Sequence, residues 1–258
     1  MKKSFLKSAF SILIAPFLIL SGCSGSQKHS SSDLSDKKVG YQLDAPKKDE
    51  EIAIVSTNLG QFKMRFFPEA APKAVENFKV HSKNGYYNGL IFHRVINNFM
   101  IQTGDPSGNG TGGESIWHEP FEDEFTNKLF NITGSVSMAN SGKNTNGSQI
   151  FINQGGKENF HGWDYYQTIY DKHKNNKSVS TIDMSKLTDD IKELYNNNGG
   201  NPHLDGALNT LNKGHTVFAQ VFDGMDVINK IASVEVDSSD KPLKDVIIEK
   251  IEIVNFEG

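Results

Sequence analysis

The amino-acid sequence predicts a mainly β fold, an antiparallel barrel whose ends are covered by α-helices. Three observations lead there. Apolar and polar residues alternate in a series of short runs separated by Gly- and Asn-rich turns. Outside one long polar stretch, only two segments change to a helical period. Strands and helices do not alternate along the chain, which argues against a parallel sheet, and closing the sheet would remove its exposed edges.

The elements follow in order. "EIAIVSTNLGQFKMRFF" alternates on both sides of Asn58-Leu59-Gly60, with Phe62, Met64 and Phe66 on one face, and reads as a hairpin. In "PEAAPKAVENFKVHSKNG", Pro72 suits a first helical turn, Ala74, Val75 and Phe78 share a face, and Gly85 lies just past the end. Strand signals then fall at 90–96, 99–103, 134–138, 148–152, 216–222 and 246–254. "DGMDVINKIASV" supplies the second helix, with Met225, Val227, Ile228 and Ile231 as its apolar positions.

Residues 155–202 break the rhythm. They are polar, with an aromatic cluster at Phe160, Trp163, Tyr165, Tyr166 and Tyr170, and Leu187, Ile191 and Leu194 mark one amphipathic helix before an Asn and Gly run. A connection this long inside a compact domain is functional or disordered, and it reads as a partly helical insertion.

The start of the chain reads as an address. Met1-Lys2-Lys3 is basic, "AFSILIAPFLIL" is too short to span a bilayer comfortably and is broken by Pro16, and "LSGC" follows at once. Residues 1–22 are therefore expected to be a signal peptide. Leu20-Ser21-Gly22-Cys23 resembles the bacterial lipobox, which implies lipidation of Cys23 and attachment to the extracytoplasmic side of the cell membrane through acyl chains. Cys23 is the only cysteine, so no intrachain disulfide can form. Ser-rich, charged residues 23–50 are expected to be a flexible tether, and 51–258 the folded domain. Net charge is −4, and loss of Lys2, Lys3 and Lys7 with the leader takes it to −7, a balance that gives no footprint for nucleic acid.

Arg94 stands out. Of 27 basic residues only Arg65 and Arg94 are arginine, yet Arg94 sits in an oily strand, "IFHRVI". Strand parity places Phe92 with Arg94, and Met100 with Gln102 in the hairpin partner, so an arginine and a glutamine should meet beside a methionine. In "SQIFIN" the same parity groups Gln149 with Phe151, leaving Ile150 and Ile152 as the better core face. Composition leaves two readings of Arg94 open: a surface cation whose stem lies on apolar neighbours, or a planar, permanently charged fork of donors serving a site.

"FHRVINNFMIQTGDPSGNGTGGESIW" and "GSVSMANSGKNTNGSQIFINQ" closely resemble two signature blocks of the cyclophilins, the peptidyl-prolyl cis-trans isomerases, and "HTVFAQVFDGMDVINKI" resembles their third. The resemblance covers roughly 51–153 and 202–254. With the lipobox and the insertion, it looks most like the surface lipoprotein rotamases of Gram-positive bacteria. It implies a closed eight-stranded antiparallel barrel capped by two α-helices, and isomerisation of Xaa-Pro bonds in proline-containing peptides and exported proteins. The family's catalytic arginine falls on Arg94, and Gln102 matches the glutamine that orients it. The proline pocket falls on Phe99, Met100, Phe151 and Leu204. Ala139, Asn140 and Gln149 match residues that line the groove and pair with the substrate backbone, and His215 matches the active-site histidine. His203 stands where many eukaryotic members carry a tryptophan linked to cyclosporin binding, so at most weak cyclosporin binding is expected. Seven extra residues, "ALNTLNK", precede "GHTVF" and bear on the placement of His215. The chemistry implied makes and breaks no bond, so neither metal nor cofactor is expected, and a monomer is.

Other motifs weigh little. "GNGTGG" has the G-x-G-x-x-G spacing but lacks the following helical period that a dinucleotide turn needs. The eight histidines are scattered, "FEDEF" reads as a solvated acidic turn, and the N-x-S/T matches are discounted beside a bacterial lipobox. Two functions stay open: an extracytoplasmic folding catalyst, and a cyclophilin scaffold whose insertion recruits a partner.

Overall fold

The computed structural model describes residues 34–258. The expected signal peptide and Cys23 lie outside the described residues. Among the described residues eight strands form one antiparallel sheet: β1 (Glu51–Thr57), β2 (Gly60–Phe66), β3 (Arg94–Ile96), β4 (Met100–Thr103), β5 (Ser135–Met138), β6 (Ile150–Asn153), β7 (Val217–Asp223) and β8 (Ile248–Asn255). Their order is β3-β4-β6-β5-β7-β2-β1-β8. Four α-helices accompany them: α1 (Pro72–Lys83), α2 (Trp163–His173), α3 (Asp189–Asn198) and α4 (Met225–Ala232).

The expected closure is incomplete. The sheet curls into a half-barrel, and between its ends one isolated bridge, Ile91 to Ile247, spans the seam. The N–H of Phe92 donates to the Val246 carbonyl and that of Ile248 to the Leu90 carbonyl. Residues 90–92 thus spend their backbone groups across the seam, so the strand expected from residue 90 joins β4 only from Arg94 onward.

Inside the curl, alternate residues meet as the pattern requires. Phe62, Met64 and Phe66 of β2 are buried with Val136, Met138, Ile150, Ile152 and Phe218 from the facing strands. The α1 ring of Phe78 lies 5.0 Å from Tyr87, 5.5 Å from Phe218 and 5.8 Å from Phe66, centroid to centroid. Full burial of one such aromatic stabilises by roughly 1.5–3 kcal/mol. The free N–H groups of Lys73 and Ala74 at the start of α1 donate to the Glu124 carboxylate, each at 3.0 Å, so an anion sits at the positive end of the helix. Helix α4 presents Val227, Ile228 and Ile231 to the same core.

The packed chain begins before residue 51. Tyr41 is 2% exposed and its ring meets Phe67 edge-on at 5.3 Å. Gln42 donates to the Phe130 carbonyl and to Gln220 Oε1, each at 2.9 Å, and accepts from the Phe130 N–H. Arg65, nearly buried, holds Glu50 at 2.6 Å and the Asp44 carbonyl at 3.0 Å. A tether reaching residue 50 is therefore too long. Its final third meets partners up to 178 residues away, which local composition does not reveal.

The insertion is packed and carries two helices rather than one. Leu187, Ile191 and Leu194 belong to α3 and its approach: the Thr188 Oγ1 accepts from the Ile191 N–H, and Gly199 ends the helix at φ 71°. The aromatic cluster apart from Phe160 lies on α2, where Trp163, Tyr166 and Tyr170 follow i, i+3, i+7 spacing. Tyr166, Ile191, Leu194 and Tyr195 build a second apolar cluster on Phe130 and Ile132, which lie in the segment leading into β5. Thr133 Oγ1 lies 2.5 Å from the Gly155 carbonyl oxygen and 2.6 Å from that of Asn198, holding both stems of the insertion together.

Candidate active site

Strands β3, β4 and β6 and the loops beside them enclose an open hollow of about 370 Å³. Its lining includes Arg94, Phe99, Met100, Gln102, Ala139, Asn140, Phe151, Leu204 and His215. Met100 and Phe151 are 2% and 5% exposed and form an apolar floor, while Arg94 stands at the rim. Position follows from register: Arg94 pairs with Gln102 across the β3–β4 ladder, and Gln102 pairs with Phe151 across β4–β6. Ile150 and Ile152 point the other way, into the main core, as parity requires.

The guanidinium reaches an acid. Arg94 Nε lies 3.6 Å from Asp240 Oδ2, and both side chains are 44% exposed, so the charge remains open to a ligand. Gln102, expected to orient Arg94, instead donates to Gln149 Oε1 at 2.8 Å. Gln149 in turn donates to the carbonyls of Gly112 and Gly110, at 2.8 and 3.1 Å. These amides brace the loop wall of the hollow rather than the cation.

That wall contains the glycine-rich motif. No helix follows it. Asp105 gathers the N–H groups of Ser107, Asn109 and Gly110 together with the Ser107 hydroxyl. Burial acts to raise the pKa of Asp105, but these donors outweigh it and bring the carboxyl down to about 2. Asn109 and Gly110 thereby line the hollow.

His215 arrives in spite of the seven extra residues 207–213, which complete a 3-10 turn, Gly206–Leu208, bury Leu208 in the second apolar cluster and then bend back. Its N–H donates to the Leu204 carbonyl at 2.9 Å, its Nδ1 lies 2.9 Å from the Met138 carbonyl, and its ring meets Phe151 edge-on at 5.1 Å. Gly214 permits this return, since a Cβ there would stand 2.3 Å from the Gly206 nitrogen. Burial lowers the pKa of His215, so the imidazole is neutral at pH 7.

Two expected residues lie elsewhere. Gln149 lines a neighbouring hollow of about 380 Å³ that shares Gln102, Gly110, Ala139 and Asn140 with the first. His203 lies across Phe99, with stacked rings 6.2 Å apart. Sequence reasoning missed His93, which directly precedes β3, and Asn109, Ser239 and Asp240, which reach the site through loops. His93 is 5% exposed with neither ring nitrogen hydrogen-bonded, and burial lowers its pKa. It is adjacent to Arg94 in sequence, and a histidine in an oily strand was the available signal.

Residues 52–253 match the family model for the cyclophilin type peptidyl-prolyl cis-trans isomerases. The chain belongs to that family. This cyclophilin is 45% identical over 206 residues to a Staphylococcus saprophyticus protein named "Putative peptidyl-prolyl cis-trans isomerase", covering 78% of this chain and 90% of that one. A protein of the same name from Staphylococcus aureus strain COL is 45% identical over 218 residues, covering 82% and 96%. Among solved structures, the Cryptosporidium parvum cyclophilin type peptidyl-prolyl cis-trans isomerase aligns with a TM-score of 0.55 at 30% identity, over 80% of this cyclophilin and 98% of that chain. The same parasite protein was also crystallised in the presence of the dipeptide Ala-Pro. Peptidyl-prolyl isomerisation is the activity of this cyclophilin's family.

Proposed function

We propose that this isomerase acts on exported proteins at the outer face of the bacterial membrane, held there by a lipid on Cys23, and that Arg94 lowers the barrier electrostatically. The observation that carries the mechanism is the single hollow that joins an exposed guanidinium to the floor of Met100 and Phe151. A proline ring of a substrate, of which Ala-Pro is the simplest example, rests on that floor.

An Xaa-Pro bond turns slowly because amide resonance imposes a barrier of about 18–20 kcal/mol. Twisting breaks the resonance and returns a lone pair to the prolyl nitrogen. A guanidinium donor aimed at that nitrogen stabilises the twisted state more than either planar state, which is the condition for acceleration. Each ~1.4 kcal/mol of this preference gives about tenfold in rate. Asp240 holds the guanidinium at the rim, and Asn140, whose amide donates to the Gly214 carbonyl at 3.0 Å, keeps the opposite wall polar.

Support for location comes from the order of basic residues, apolar run and "LSGC" at the start of the chain. Metabolic labelling with a fatty-acid analogue tests it: label should follow wild-type protein into the membrane fraction and be absent from Cys23→Ser. Equal labelling of both proteins would overturn the assignment. A protease-coupled peptide assay tests the enzyme role, and should start from a chain that retains residues 34–50, because those residues pack against the barrel.

A further inference from the structure

Beyond Phe99, on the insertion side, lies a further hollow of about 420 Å³. Phe99 lines both this hollow and the one beside Arg94. Phe99 is thus the wall between them, and His203, stacked on it with ring centroids 6.2 Å apart, lines the insertion side. On the far side, Tyr165, Tyr166 and Ile169 of α2 provide an apolar face, and Asn159 and Asn201 provide amides. No Asp, Glu, Lys or Arg contributes to the lining. Tyr165 is 47% exposed, although its ring is steadied by His161 at 4.6 Å and by Tyr166 at 5.2 Å.

We propose that this hollow is a specificity subsite built by the insertion, which takes a tyrosine or tryptophan side chain from the same peptide whose proline occupies the hollow beside Arg94. The inference rests on the isomerase reading above and adds the substrate class. The chemistry selects the occupant. A lining without carboxylate, lysine or arginine penalises a charged side chain, which would lose its water without gaining an Asp, Glu, Lys or Arg counter-ion. Aromatic walls favour a flat ring, and the Asn159 and Asn201 side chains beside them favour one with a polar handle, as tyrosine and tryptophan have. The shared wall bounds the position: Phe99 lines both hollows, so a peptide that crosses it carries the aromatic residue within a few residues of the proline.

The test uses the full chain in detergent micelles and peptides carrying Ala, Tyr or Lys one to four positions from proline, on either side. Wild-type kcat/KM should favour Tyr over Ala and Lys by at least about fivefold on one side of the proline. The preference should shrink to within about twofold in Tyr165→Ala and in Asn159→Leu, while turnover of the Ala peptide stays unchanged. Tyr165→Ala alters a half-exposed ring, and circular dichroism should show the variant folded. Normal turnover of the Ala peptide without any preference for Tyr, or a preference that survives both variants, overturns the subsite and leaves the isomerase reading intact. No turnover of any peptide overturns both.

Discussion

Arg94 Nε and Asp240 Oδ2 stand 3.6 Å apart at the rim of the apolar hollow, each side chain 44% exposed. The acid is fixed to the strand of its partner, because the Asp240 carbonyl accepts the Val95 N–H at 2.8 Å. Asp240 itself takes a left-handed φ of 63°, uncommon for a residue with a side chain. The pair is wet enough to yield to a ligand. Exposed pairs contribute about 0–1 kcal/mol, so Asp240→Asn, which keeps the shape and removes the counter-charge, should lower kcat/KM by roughly two- to fivefold. Steady-state isomerisation of a test peptide measures it, and a loss as large as that of Arg94→Ala would make Asp240 a catalytic partner.

Activity should be level between pH 7 and pH 9. Burial lowers the pKa of both His93 and His215, so their imidazoles are already neutral at pH 7. Arginine stays protonated throughout. No group in the hollow then changes charge as pH rises. A bell-shaped profile in this range would reveal a proton transfer that the mechanism does not contain.

Asp205 should shape stability at lower pH. It is buried beside Leu204, its Oδ1 accepting from the Asn131 N–H and side-chain amide and its Oδ2 from the Tyr195 hydroxyl of α3. Burial raises its pKa to about 7, although these donors favour the carboxylate. Because the folded carboxyl keeps its proton while the unfolded one loses it, this group's stabilising contribution is complete below pH ~4 and is lost as pH rises toward 7. Urea titrations should show Asp205→Asn to lack that decline, with a gap from wild type that grows by roughly 1–4 kcal/mol between pH 4 and pH 7. A constant gap across that range would place the Asp205 pKa in the ordinary carboxylate range.

Removing residues 155–200 should not leave a sound barrel. The insertion covers Phe130 and Ile132, both fully buried, and carries Tyr195, the donor to Asp205. Exposing two such side chains sacrifices roughly 3–6 kcal/mol of apolar burial, a large share of a domain's stability. The deletion protein is expected to melt at least about 10 °C lower or to aggregate. Unchanged melting would show the insertion to be an independent appendage.

The sequence carried the barrel strands because each has a buried and an exposed face, which writes period two into the chain, as in Phe62, Met64 and Phe66. The Arg94 hollow could be read in part for a related reason: parity brought Arg94 to Gln102 and grouped Gln149 with Phe151, while the register that sets Gln102 opposite Phe151 is a finding of the structure. Asp240 and Asn109 could not, since loops deliver them and no period marks a loop. The packing of Tyr41 and Gln42 also escaped, because their partners Phe67 and Phe130 are distant in sequence. Helix α2 was hidden by composition: its buried stripe is aromatic and only Tyr166 is buried, so no aliphatic periodicity marked it. The two arginines proved to have different tasks. Arg65 ties residues 44–50 to β2, and Arg94 faces solvent over the hollow.

Arg94→Ala, assayed for kcat/KM on a short Xaa-Pro peptide alongside its melting temperature, tests the central claim most directly. Loss of a half-exposed side chain should change stability by no more than about 0.5 kcal/mol, whereas isomerisation should fall at least about a hundredfold. A folded variant that retains activity within threefold of wild type would contradict the account.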